Sequence, residues 1–302
     1  MSAPLLIITG PTASGKSALA LRVCQQIGGE IVSCDSMQIY RGCDIATAKP
    51  TLAERALVPH HLLDLCEPSE RFSAAQWAEA ARDRIENIAA RGKTAVVCGG
   101  TGFYLRALLQ PETLASVAPD SALRAELEAE LTTMGAAAMH AKLATFDAEA
   151  AARLHPNDSF RVLRALEVAL GQPRTSVSAL PSFAPHIFGI EWPREVLYQR
   201  INARVESMMQ AGFLEELRGL VARFGAAAPA LSGVGYQQMK PVLEDESRLG
   251  EGLELWKRDT RRYAKRQMTW FRHQLDVTWL DGNSELSAMA GAVLASVNNK
   301  YD

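Results

Sequence analysis

The stretch Gly10-Pro11-Thr12-Ala13-Ser14-Gly15-Lys16-Ser17 matches the phosphate-binding loop pattern G-x-x-x-x-G-K-[ST]. It follows the apolar run Leu5–Ile8, which predicts a first strand, and precedes Ala18–Leu21, where a helix is predicted to begin. In that context the backbone N–H groups of the loop and the positive end of the helix converge on one anion. Lys16 supplies a point charge, and the Ser17 hydroxyl is placed to bind a phosphate-bound Mg²⁺. The stretch therefore predicts a strand–loop–helix unit that holds a di- or triphosphate.

The composition is that of an ordinary globular protein. Of 302 residues 48% are apolar, enough for a substantial core in one large or two modest domains. The net charge of −2 does not indicate a nucleic-acid partner, so any basic surface must be local. Five cysteines without C-x-x-C spacing predict free thiols, and His60-His61 and the other histidines lack metal-ligand spacing. No secretion signal or membrane-spanning run is recognisable, so we expect a cytoplasmic protein without membrane association, and a monomer by default.

The first hundred residues alternate apolar runs with helical patterns. The runs Glu30–Cys34 and Thr94–Cys98 predict a second and a third strand. The stretch Ser73–Arg91 predicts a helix with Ser73 as its N-cap and Gly92 just beyond its end. Strands separated by helices imply right-handed crossovers and a parallel sheet, with ligands at the carboxyl ends of the strands.

From about Glu112 the chain is rich in Ala, Glu, Leu and Arg, and its pattern is helical up to about Leu170. The predicted features are helix starts at Asp120-Ser121 and Asp147, a helix Arg161–Leu170, an exposed loop Gly171–Pro185 and a late strand His186–Ile190. We therefore predict an α/β protein. Residues 1–111 and 186–302 would form a P-loop-type parallel sheet core flanked by helices, with a basic C-terminal helix. Residues 112–185 would form an inserted all-helical domain.

The predicted strand Thr94–Cys98 runs into Gly99-Gly100-Thr101-Gly102. In phosphate-loop ATPases and GTPases an apolar strand ends instead in an aspartate that helps to hold Mg²⁺. A Gly-Gly-Thr turn offers backbone N–H groups and one hydroxyl, which suit a second contact with phosphate oxygens. The alternative is a tight strand-to-helix turn without a ligand.

Two aspartates are candidates for a general base. Asp35 follows the second predicted strand, where its carboxylate could take a proton from a nucleophile approaching the phosphate-bound electrophile. A helix N-cap is an equally good interpretation of Asp35. Asp64 is the rival base, although the flanks Leu65-Cys66 indicate an ordinary turn. The residues alone leave the choice open.

A basic segment lies near the C-terminus. Between Lys257 and His273 seven of seventeen residues are Lys or Arg, and Tyr263, Trp270 and Phe271 lie among them. A basic helix face with aromatic neighbours suits phosphate contacts and base stacking, whereas the alternative is a solvated amphipathic helix.

Together these features resemble one family, the tRNA dimethylallyltransferases, also called tRNA isopentenyltransferases. The resemblance covers about Leu6 to Leu280, and its most specific parts are the run Asp35–Pro50 and the motif Ala264–Trp270. The other matching segments are Gly10–Ser17, Pro59–Asp64, Gly99–Tyr104, His155–Asp158, Arg164–Glu167 and Gly235-Tyr236.

The resemblance implies an enzyme that binds dimethylallyl diphosphate and transfers its five-carbon group to N6 of the adenosine 3′-adjacent to the anticodon of tRNAs, releasing diphosphate. No ATP is split, which accounts for the missing aspartate. Asp35 would be the catalytic base, and Lys16, Thr101 and Arg204 (with Arg200 as the alternative to Arg204) would neutralise the leaving diphosphate, with Mg²⁺ at Ser17. The implied diphosphate site comprises Gly10, Thr12, Ala13, Ser14, Gly15, Lys16, Ser17, Gly99, Gly100 and Thr101.

The resemblance also implies that the helical insertion grips the anticodon stem-loop and that Gln38 helps to read the extruded adenine. The implied tRNA-binding residues are Asp35, Ser36, Met37, Gln38, Thr101, Phe160, Arg161, Val162, Leu163, Arg164, Gly235, Tyr236, Gln237, Lys265, Arg266, Gln267 and Trp270. The sequence departs from the family pattern at Ser159-Phe160, where Pro and Gln are usual, and after Gln110, where a Gly-Leu-Ser-type loop is usual. Gln237 replaces a usual arginine, which removes a charged contact.

Two other classes of protein remain open. One is a prenyltransferase acting on free AMP, ADP or ATP, which shares the core but needs neither the insertion nor the basic helix. The other is a phosphate-loop kinase or a non-catalytic nucleotide-binding module, which would bind ATP tightly.

Overall fold

The fold is built on one six-stranded sheet in which all neighbouring strands are parallel. A computed structural model describes residues 5–111, 121–171 and 185–298. The strands are β1 (Leu6–Thr9), β2 (Glu30–Ser33), β3 (His60–His61), β4 (Ala95–Cys98), β5 (His186–Glu191) and β6 (Thr278–Asp281). They lie in the order β3-β2-β4-β1-β5-β6, so the predicted α/β class with a parallel sheet is confirmed.

Helices connect the strands and cover the sheet. They are α1 (Lys16–Ile27), α2 (Leu52–Leu57), α3 (Ala74–Ala90), α4 (Gly102–Leu109), α5 (Ser121–Phe146), α6 (Ala148–Arg153), α7 (Ser159–Leu170), α8 (Arg194–Gln210), α9 (Phe213–Phe224), α10 (Tyr236–Glu244), α11 (Leu249–Gln274) and α12 (Leu286–Asn298). Short 3-10 helices span Pro229–Ser232 and Glu246–Arg248. Gly135, at φ 81°, divides α5 into two helical stretches. Within the three described ranges, every helix is too short or too polar to span a membrane.

The four predicted strands are present, with ends shifted by at most one residue. Ser73 caps α3 as predicted, because its hydroxyl accepts a hydrogen bond from the N–H of Gln76. Gly92 follows α3 at φ 70°, and its N–H donates to the carbonyl of Ala89. The sequence pattern does not predict β3 or β6, since β3 has two residues and β6 is largely exposed.

Predictions in the middle of the chain have mixed outcomes. Asp147 caps α6 as expected, accepting a hydrogen bond from the N–H of Ala150 (2.8 Å). Helix α7 begins at Ser159, two residues earlier than predicted, because Asp158 is its N-cap. The predicted loop 171–185, apart from its two end residues, lies outside the described residues, as does position 120 of the predicted helix start.

Both faces of the sheet are buried. Leu6, Ile8 and Phe188 pack with apolar residues of α1 and α12 in one cluster. Ile7 and Val97 alternate with such residues along their strands, so they point to the opposite face, and they are fully buried as well. Burial of both faces is what a parallel sheet with helical crossovers requires.

Trp77 of α3 fixes the carboxyl ends of two strands to the same helix. It is fully buried and donates its indole N–H to the carbonyl of Ser33, the last residue of β2 (3.0 Å). Its ring stacks on that of Tyr104 in α4, which follows β4 (4.7 Å between centroids). Trp77 therefore helps to hold the segments that follow β2 and β4 in place.

A buried carboxylate lies at the amino edge of the sheet. Glu30, the first residue of β2, accepts hydrogen bonds from Arg91 (2.5 and 2.7 Å) and Lys93 (2.8 Å), and His61 lies 2.7 Å away. Arg91 above all holds the pKa of Glu30 well below its usual range, with Lys93 and His61 contributing. The contact with Glu30 gives His61 a structural role at this edge.

The chain divides into two compact units, Met1–Leu109 with Ser182–Asp302, and Gln110–Pro181. The first unit contains the whole sheet. The second contains α5, α6 and α7, which enclose their own apolar core around Met139 and Leu166. Residue 112, the predicted start of the insertion, lies outside the described residues.

Candidate active site

Four segments that follow neighbouring strands lie at the carboxyl edge of the sheet. The phosphate loop follows β1, the turn 35–40 follows β2, the turn 99–101 follows β4, and α8 follows β5. Because β2, β4, β1 and β5 are consecutive in the sheet, the side chains of these segments share one edge. The sheet thereby brings together residues that are far apart in the sequence.

The phosphate loop is held in shape by its own backbone and by side chains from other segments of the chain. Gly15, at φ 99°, is in the left-handed region at the start of α1, where a side chain would be strained. Trp192 donates its indole N–H to the carbonyl of Ser14 (2.9 Å), and the guanidinium of Arg200 lies over the Trp192 ring (4.3 Å). The Ser14 hydroxyl is buried and has no hydrogen-bond partner among the described residues.

Three cationic side chains lie around this loop. Lys16 Nζ donates to the carbonyl of Pro11 (3.3 Å), and Arg200 Nε donates to that of Ala13 (2.9 Å). Arg204 lies one helical turn after Arg200 and is half-buried. In the part of the chain that the structure describes, no carboxylate lies within 4 Å of these three cations. Their charges therefore remain available for an anion from outside the protein.

The cations are close enough to influence each other electrostatically. Burial lowers the pKa of Lys16, and the proximity of Arg204 lowers it further. Burial also lowers the pKa of Arg204, while Asp35 acts in the opposite direction on both groups. Among the described residues, Asp35 is thus a carboxylate close to this positive region.

The turns after β2 and β4 are hydrogen-bonded to each other. The Thr101 N–H donates to the carbonyl of Cys34 (3.2 Å), and Thr101 Oγ1 accepts from the N–H of Ser36 (3.0 Å). Asp35 Oδ1 accepts from the N–H of Met37 (2.9 Å) in a turn, and the next helix begins only at Leu52. The helix N-cap interpretation of Asp35 is therefore wrong, because no helix starts there.

Two buried thiols lie beneath these turns. Cys34 Sγ donates to the carbonyl of Thr101, and Cys98 Sγ donates to that of Lys16. Burial raises the pKa of Cys34 well above its usual value and that of Cys98 to about 11. Both thiols stay neutral near pH 7, so neither is an activated nucleophile. All five cysteines are free, as predicted, and all five are also buried.

Helix α11 packs directly on the turn after β4. A Cβ at Gly100 would lie 2.3 Å from Gln267 Nε2, and one at Gly102 would lie 2.5 Å from Trp270 Cδ2. Glycine is required at both positions because the helix comes so close. Gln267 is buried: its Nε2 donates to the carbonyl of Gly100 (2.8 Å), and its Oε1 accepts from the N–H of Thr12 (2.9 Å). The expectation that Gln267 contacts tRNA is therefore wrong for its side chain.

Comparison with known proteins agrees with this arrangement. The family model described as IPP transferase matches residues 38–274, from the turn after β2 to the end of α11. The chain belongs to the IPP transferase family. A protein named tRNA dimethylallyltransferase from Anaeromyxobacter sp. (strain Fw109-5) is 48% identical over 282 residues, which cover 91% of this chain and 94% of that protein. One of the same name from Geobacter metallireducens is 45% identical over 96% of both.

Solved structures of family members have the same fold. The full-length tRNA isopentenylpyrophosphate transferase of Bacillus halodurans shares 37% identity and a TM-score of 0.71, with 99% of both chains covered. A eukaryotic dimethylallyltransferase, described as acting on tRNA, shares 27% identity and a TM-score of 0.79 over 99% of this chain and 79% of its own. The family resemblance stated from the sequence is thus confirmed.

Within this family member, Gln38 does not have the predicted freedom to read a base. Its Oε1 accepts from the hydroxyl of Ser33 (3.0 Å), and its Nε2 donates to the carbonyls of Thr47 (3.1 Å) and Ala48 (3.2 Å). Both amide protons are thus engaged inside the protein. Gln38 holds the segment 44–49 against the end of β2.

Asp64, the rival base, is part of an ion-pair network. It binds Lys49 (2.7 Å) and Arg55 (3.0 Å), and Lys49, whose side chain is 1% exposed, also binds Asp44 (2.7 Å). Burial alone would raise the pKa of Asp64, but Lys49 and Arg55 hold it below its ordinary value. The geometry gives Asp64 a structural role.

Tyr236 is also structural. It is fully buried, and its hydroxyl donates to Glu216 (2.7 Å) of α9. Glu216 in turn accepts hydrogen bonds from the N–H groups of Asp44 (2.9 Å) and Ile45 (2.7 Å). The expected tRNA contact of Tyr236 is wrong for its side chain, because the ring lies in the core. Gly235 beside it is buried too.

Other predicted tRNA contacts do lie at the surface of the first unit. Lys265 and Arg266 are exposed on α11, and Gln237 is exposed on α10. With Trp270, the two cations line an open depression of about 520 Å³.

In the second unit, Phe160 is 70% exposed and Arg161 is exposed, whereas Arg164 pairs with Glu167 (2.7 Å). Val162 and Leu163, by contrast, are buried in the core of that unit. Their side chains therefore cannot touch a nucleic acid in this conformation, which corrects the prediction for both.

Some residues of the site are not identified from the sequence. Glu216 and Trp192 carry no signal that marks them, because each acts on a segment distant in the sequence. Tyr263, noted only as an aromatic neighbour, lies near Thr101 and Asp35, and burial above all raises its pKa. Its spacing of four from Gln267 places both on one helix face, which is a signal that could have identified the inner face of α11.

Proposed function

We propose that this chain transfers the dimethylallyl group of dimethylallyl diphosphate to N6 of the adenosine 3′-adjacent to the anticodon of tRNAs, releasing diphosphate. The relatives named above support the assignment as a tRNA-modifying transferase. One structural arrangement carries it: among the described residues, the Asp35 carboxylate lies at the same sheet edge as the phosphate loop and close enough to oppose the lowering of the pKa values of Lys16 and Arg204 by burial. Strand β4, beside that loop, ends at Cys98 and is followed by Gly99, where an ATPase has a metal-binding aspartate.

The phosphate loop and its cations stabilise the leaving group. As the bond between the allylic C1 and oxygen breaks, its electron pair leaves with the diphosphate, and negative charge grows there. Lys16, Arg204 and the Thr101 hydroxyl lie at that edge, together with the N–H groups of the loop. The buried Ser14 hydroxyl, which has no partner in the described protein, is a further donor for a phosphate oxygen. Fixed donors of this kind supply much of the rate enhancement of group transfer.

Asp35 acts as the base. The N6–C1 bond forms while the C1–oxygen bond breaks, and one N6 proton passes to the Asp35 carboxylate. Oδ1 is held by the N–H of Met37, so the carboxylate is oriented before the substrates bind. The buried thiols Cys34 and Cys98 are neutral and take no part in this proton transfer.

A magnesium ion fits this site only together with the diphosphate. Ser17 is exposed at the second position of α1 and offers one hydroxyl ligand. Across the described residues, no group of three or more His, Cys, Asp or Glu side chains could hold a metal ion. Mg²⁺ usually binds through substrate phosphates and retains several waters. Held by Ser17 and diphosphate oxygens, it would neutralise charge on the leaving group.

The tRNA would be bound by both units, each through its exposed residues. Lys265, Arg266 and Trp270 offer cations and an aromatic ring, which suit phosphate contacts and base stacking. In the helical insertion, which we place at residues 112–185, Phe160 and Arg161 offer the same two chemistries for the anticodon stem-loop. The target adenine must leave its stack to reach Asp35, at a cost of a few kcal/mol.

Radiolabelled dimethylallyl diphosphate tests the proposal against its two alternatives. The enzyme is incubated with an unmodified tRNA transcript, with the same transcript carrying guanosine in place of the target adenosine, or with AMP. We expect label only in the first. Label in AMP but not in tRNA would assign a free-nucleotide prenyltransferase. ATP turnover without any prenyl transfer would assign a kinase or ATPase.

A further inference from the structure

We infer that Gln267 is a positioning residue for this reaction: it fixes the phosphate loop to the turn after β4 and joins both to the helix with the basic outer face. The inference rests on the proposed function, since it assigns the two joined segments to one diphosphate. It also replaces the direct tRNA contact expected of Gln267 with an indirect role.

The contacts of Gln267 are specific at both ends of its amide. The oxygen accepts from the N–H of Thr12 in the phosphate loop (2.9 Å), and the nitrogen donates to the carbonyl of Gly100 (2.8 Å). The side chain is only 7% exposed, so neither bond can be replaced by water without opening the packing. A buried amide whose two ends bind two segments fixes the spacing between them.

The two joined segments are the ones whose backbones face the diphosphate. Thr12 lies in the phosphate loop after β1, and Gly100 lies in the turn that presents Thr101. Gly100 itself leaves room for the amide, since a Cβ there would lie 2.3 Å from Gln267 Nε2. Donors that stabilise developing charge must be held in place before the reaction begins. Gln267 supplies that constraint from outside the sheet.

Helix α11, which carries Gln267, has a buried inner face and an exposed outer face. Ala264, Gln267 and Phe271 are buried on the inner face, whereas Lys265 and Arg266 are exposed on the outer one. Because both faces belong to one rigid helix, a shift of the outer face also displaces the Gln267 amide. The arrangement thus connects the tRNA-facing surface to the diphosphate donors through one side chain.

Two substitutions and a matched control test this role. Gln267→Met keeps the length of the side chain but removes both hydrogen bonds. Gln267→Glu can still accept from Thr12 but places a carboxylate against the Gly100 carbonyl and near the diphosphate. Gln26→Met makes the same change at an exposed position of α1. All four proteins are compared below their melting temperatures by calorimetric binding of inorganic diphosphate, filter binding of tRNA, and kcat and KM for dimethylallyl diphosphate.

We expect Gln267→Met to weaken inorganic diphosphate binding about tenfold and to raise the KM for dimethylallyl diphosphate by a similar factor, equivalent to about 1.4 kcal/mol. Gln267→Glu should lose more, while both variants bind tRNA within about twofold of the wild type and Gln26→Met matches the wild type throughout. Unchanged diphosphate affinity in both Gln267 variants would overturn the inference, as would a tenfold loss confined to tRNA binding. If the wild type binds diphosphate but transfers no prenyl group, the proposed function fails, and the binding data still decide the role of Gln267.

Discussion

The two edges of the sheet hold their positive charges in opposite ways. At the amino edge, Arg91 and Lys93 bind the buried carboxylate of Glu30, so those charges are neutralised within the protein. At the carboxyl edge, Lys16 donates to a backbone carbonyl and, in the described chain, Arg204 has no carboxylate within ion-pair distance. Neutralised charges stabilise the fold, whereas concentrated charges without a counter-ion mark a site for an anionic ligand. The comparison predicts that mutations at the two edges separate stability from activity.

The largest effect is expected at the carboxyl edge from Asp35→Asn. Asparagine can still accept the hydrogen bond from the N–H of Met37, but it cannot take the N6 proton, so kcat should fall by about 10²- to 10⁴-fold. Affinity for tRNA should stay within about twofold of the wild type. The measurement is single-turnover transfer of labelled prenyl group alongside filter binding.

Asp281→Asn is the matched control, because Asp281 lies at the carboxyl end of β6 and accepts a hydrogen bond from the N–H two residues on, that of Asn283 (2.9 Å). This variant should keep its activity. An Asp35→Asn protein within tenfold of the wild type, or one that no longer binds tRNA, would show that Asp35 shapes the turn and is not the base.

Arg204→Gln should lower kcat by about 10²- to 10³-fold, because it removes a cation from the developing charge of the diphosphate. Its free energy of unfolding should be unchanged or higher by up to about 1 kcal/mol, since the half-buried guanidinium lies near other cations. Steady-state kinetics and urea unfolding check the two expectations together. Arg194→Gln, on the exposed start of the same helix, should change neither. If Arg204→Gln were strongly destabilised but kept normal turnover, Arg204 would stabilise the fold, as Arg91 and Lys93 do, and would not act on the diphosphate.

Glu30→Gln should have the reverse effect, a large loss of stability with the site intact. Glutamine removes the charge and places a buried amide group against Arg91 and Lys93, so its N–H groups are left without acceptors, which should cost about 1 to 3 kcal/mol. Glu251→Gln breaks an exposed ion pair with Arg248 (3.2 Å) and should cost less than about 1 kcal/mol. Urea unfolding measures both variants, and transfer activity at low temperature should survive in both. If the two variants had the same free energy of unfolding, the ion pairs of Glu30 would contribute no more to stability than an exposed ion pair does.

The Glu30 cluster also predicts a pH dependence. The pKa of Glu30 is lowered in the folded protein from an ordinary value of about 4.5, so its stabilisation is fully present above that value. As the pH falls below about 4.5, the unfolded state binds a proton first, and this stabilisation is lost progressively. The melting temperature of the wild type should therefore fall more steeply between pH 5 and about 3 than that of Glu30→Gln. Parallel curves for the two proteins would contradict the assignment.

The sequence predicts the residues at the carboxyl edge of the sheet better than it predicts the residues that hold them in place. The phosphate loop, the strands and the cap at Ser73 depend on neighbouring residues, so a local pattern reveals them. Asp35 is found because the carboxyl ends of parallel strands share one edge, although the sequence cannot decide between base and cap. The structure excludes the N-cap interpretation of Asp35, since the next helix begins only at Leu52.

The errors concern polar residues whose burial depends on distant segments. Gln38, Tyr236 and Gln267 belong to motifs of a nucleic-acid enzyme, and their side chains are of the kind that contacts bases. Each is instead buried, with its hydrogen bonds directed to the protein itself. No periodicity within one segment shows which of its polar groups a distant helix will cover, so the division between contact and support requires the tertiary structure.

Tyr236→Phe gives the smallest effect and tests that division directly. The phenyl ring keeps the packing, while the loss of one hydrogen bond to Glu216 should cost about 1 kcal/mol in the free energy of unfolding. Affinity for tRNA should be unchanged, because the hydroxyl lies in the core. Lys265→Ala, at the exposed face of α11, should instead weaken tRNA binding with little effect on stability, and it should lower the salt dependence of binding. The contrary result would be a Tyr236→Phe protein that is as stable as the wild type but binds tRNA as weakly as Lys265→Ala. Tyr236 would then have to become exposed when tRNA binds, and it would count among the residues that contact tRNA, not among those that support the fold.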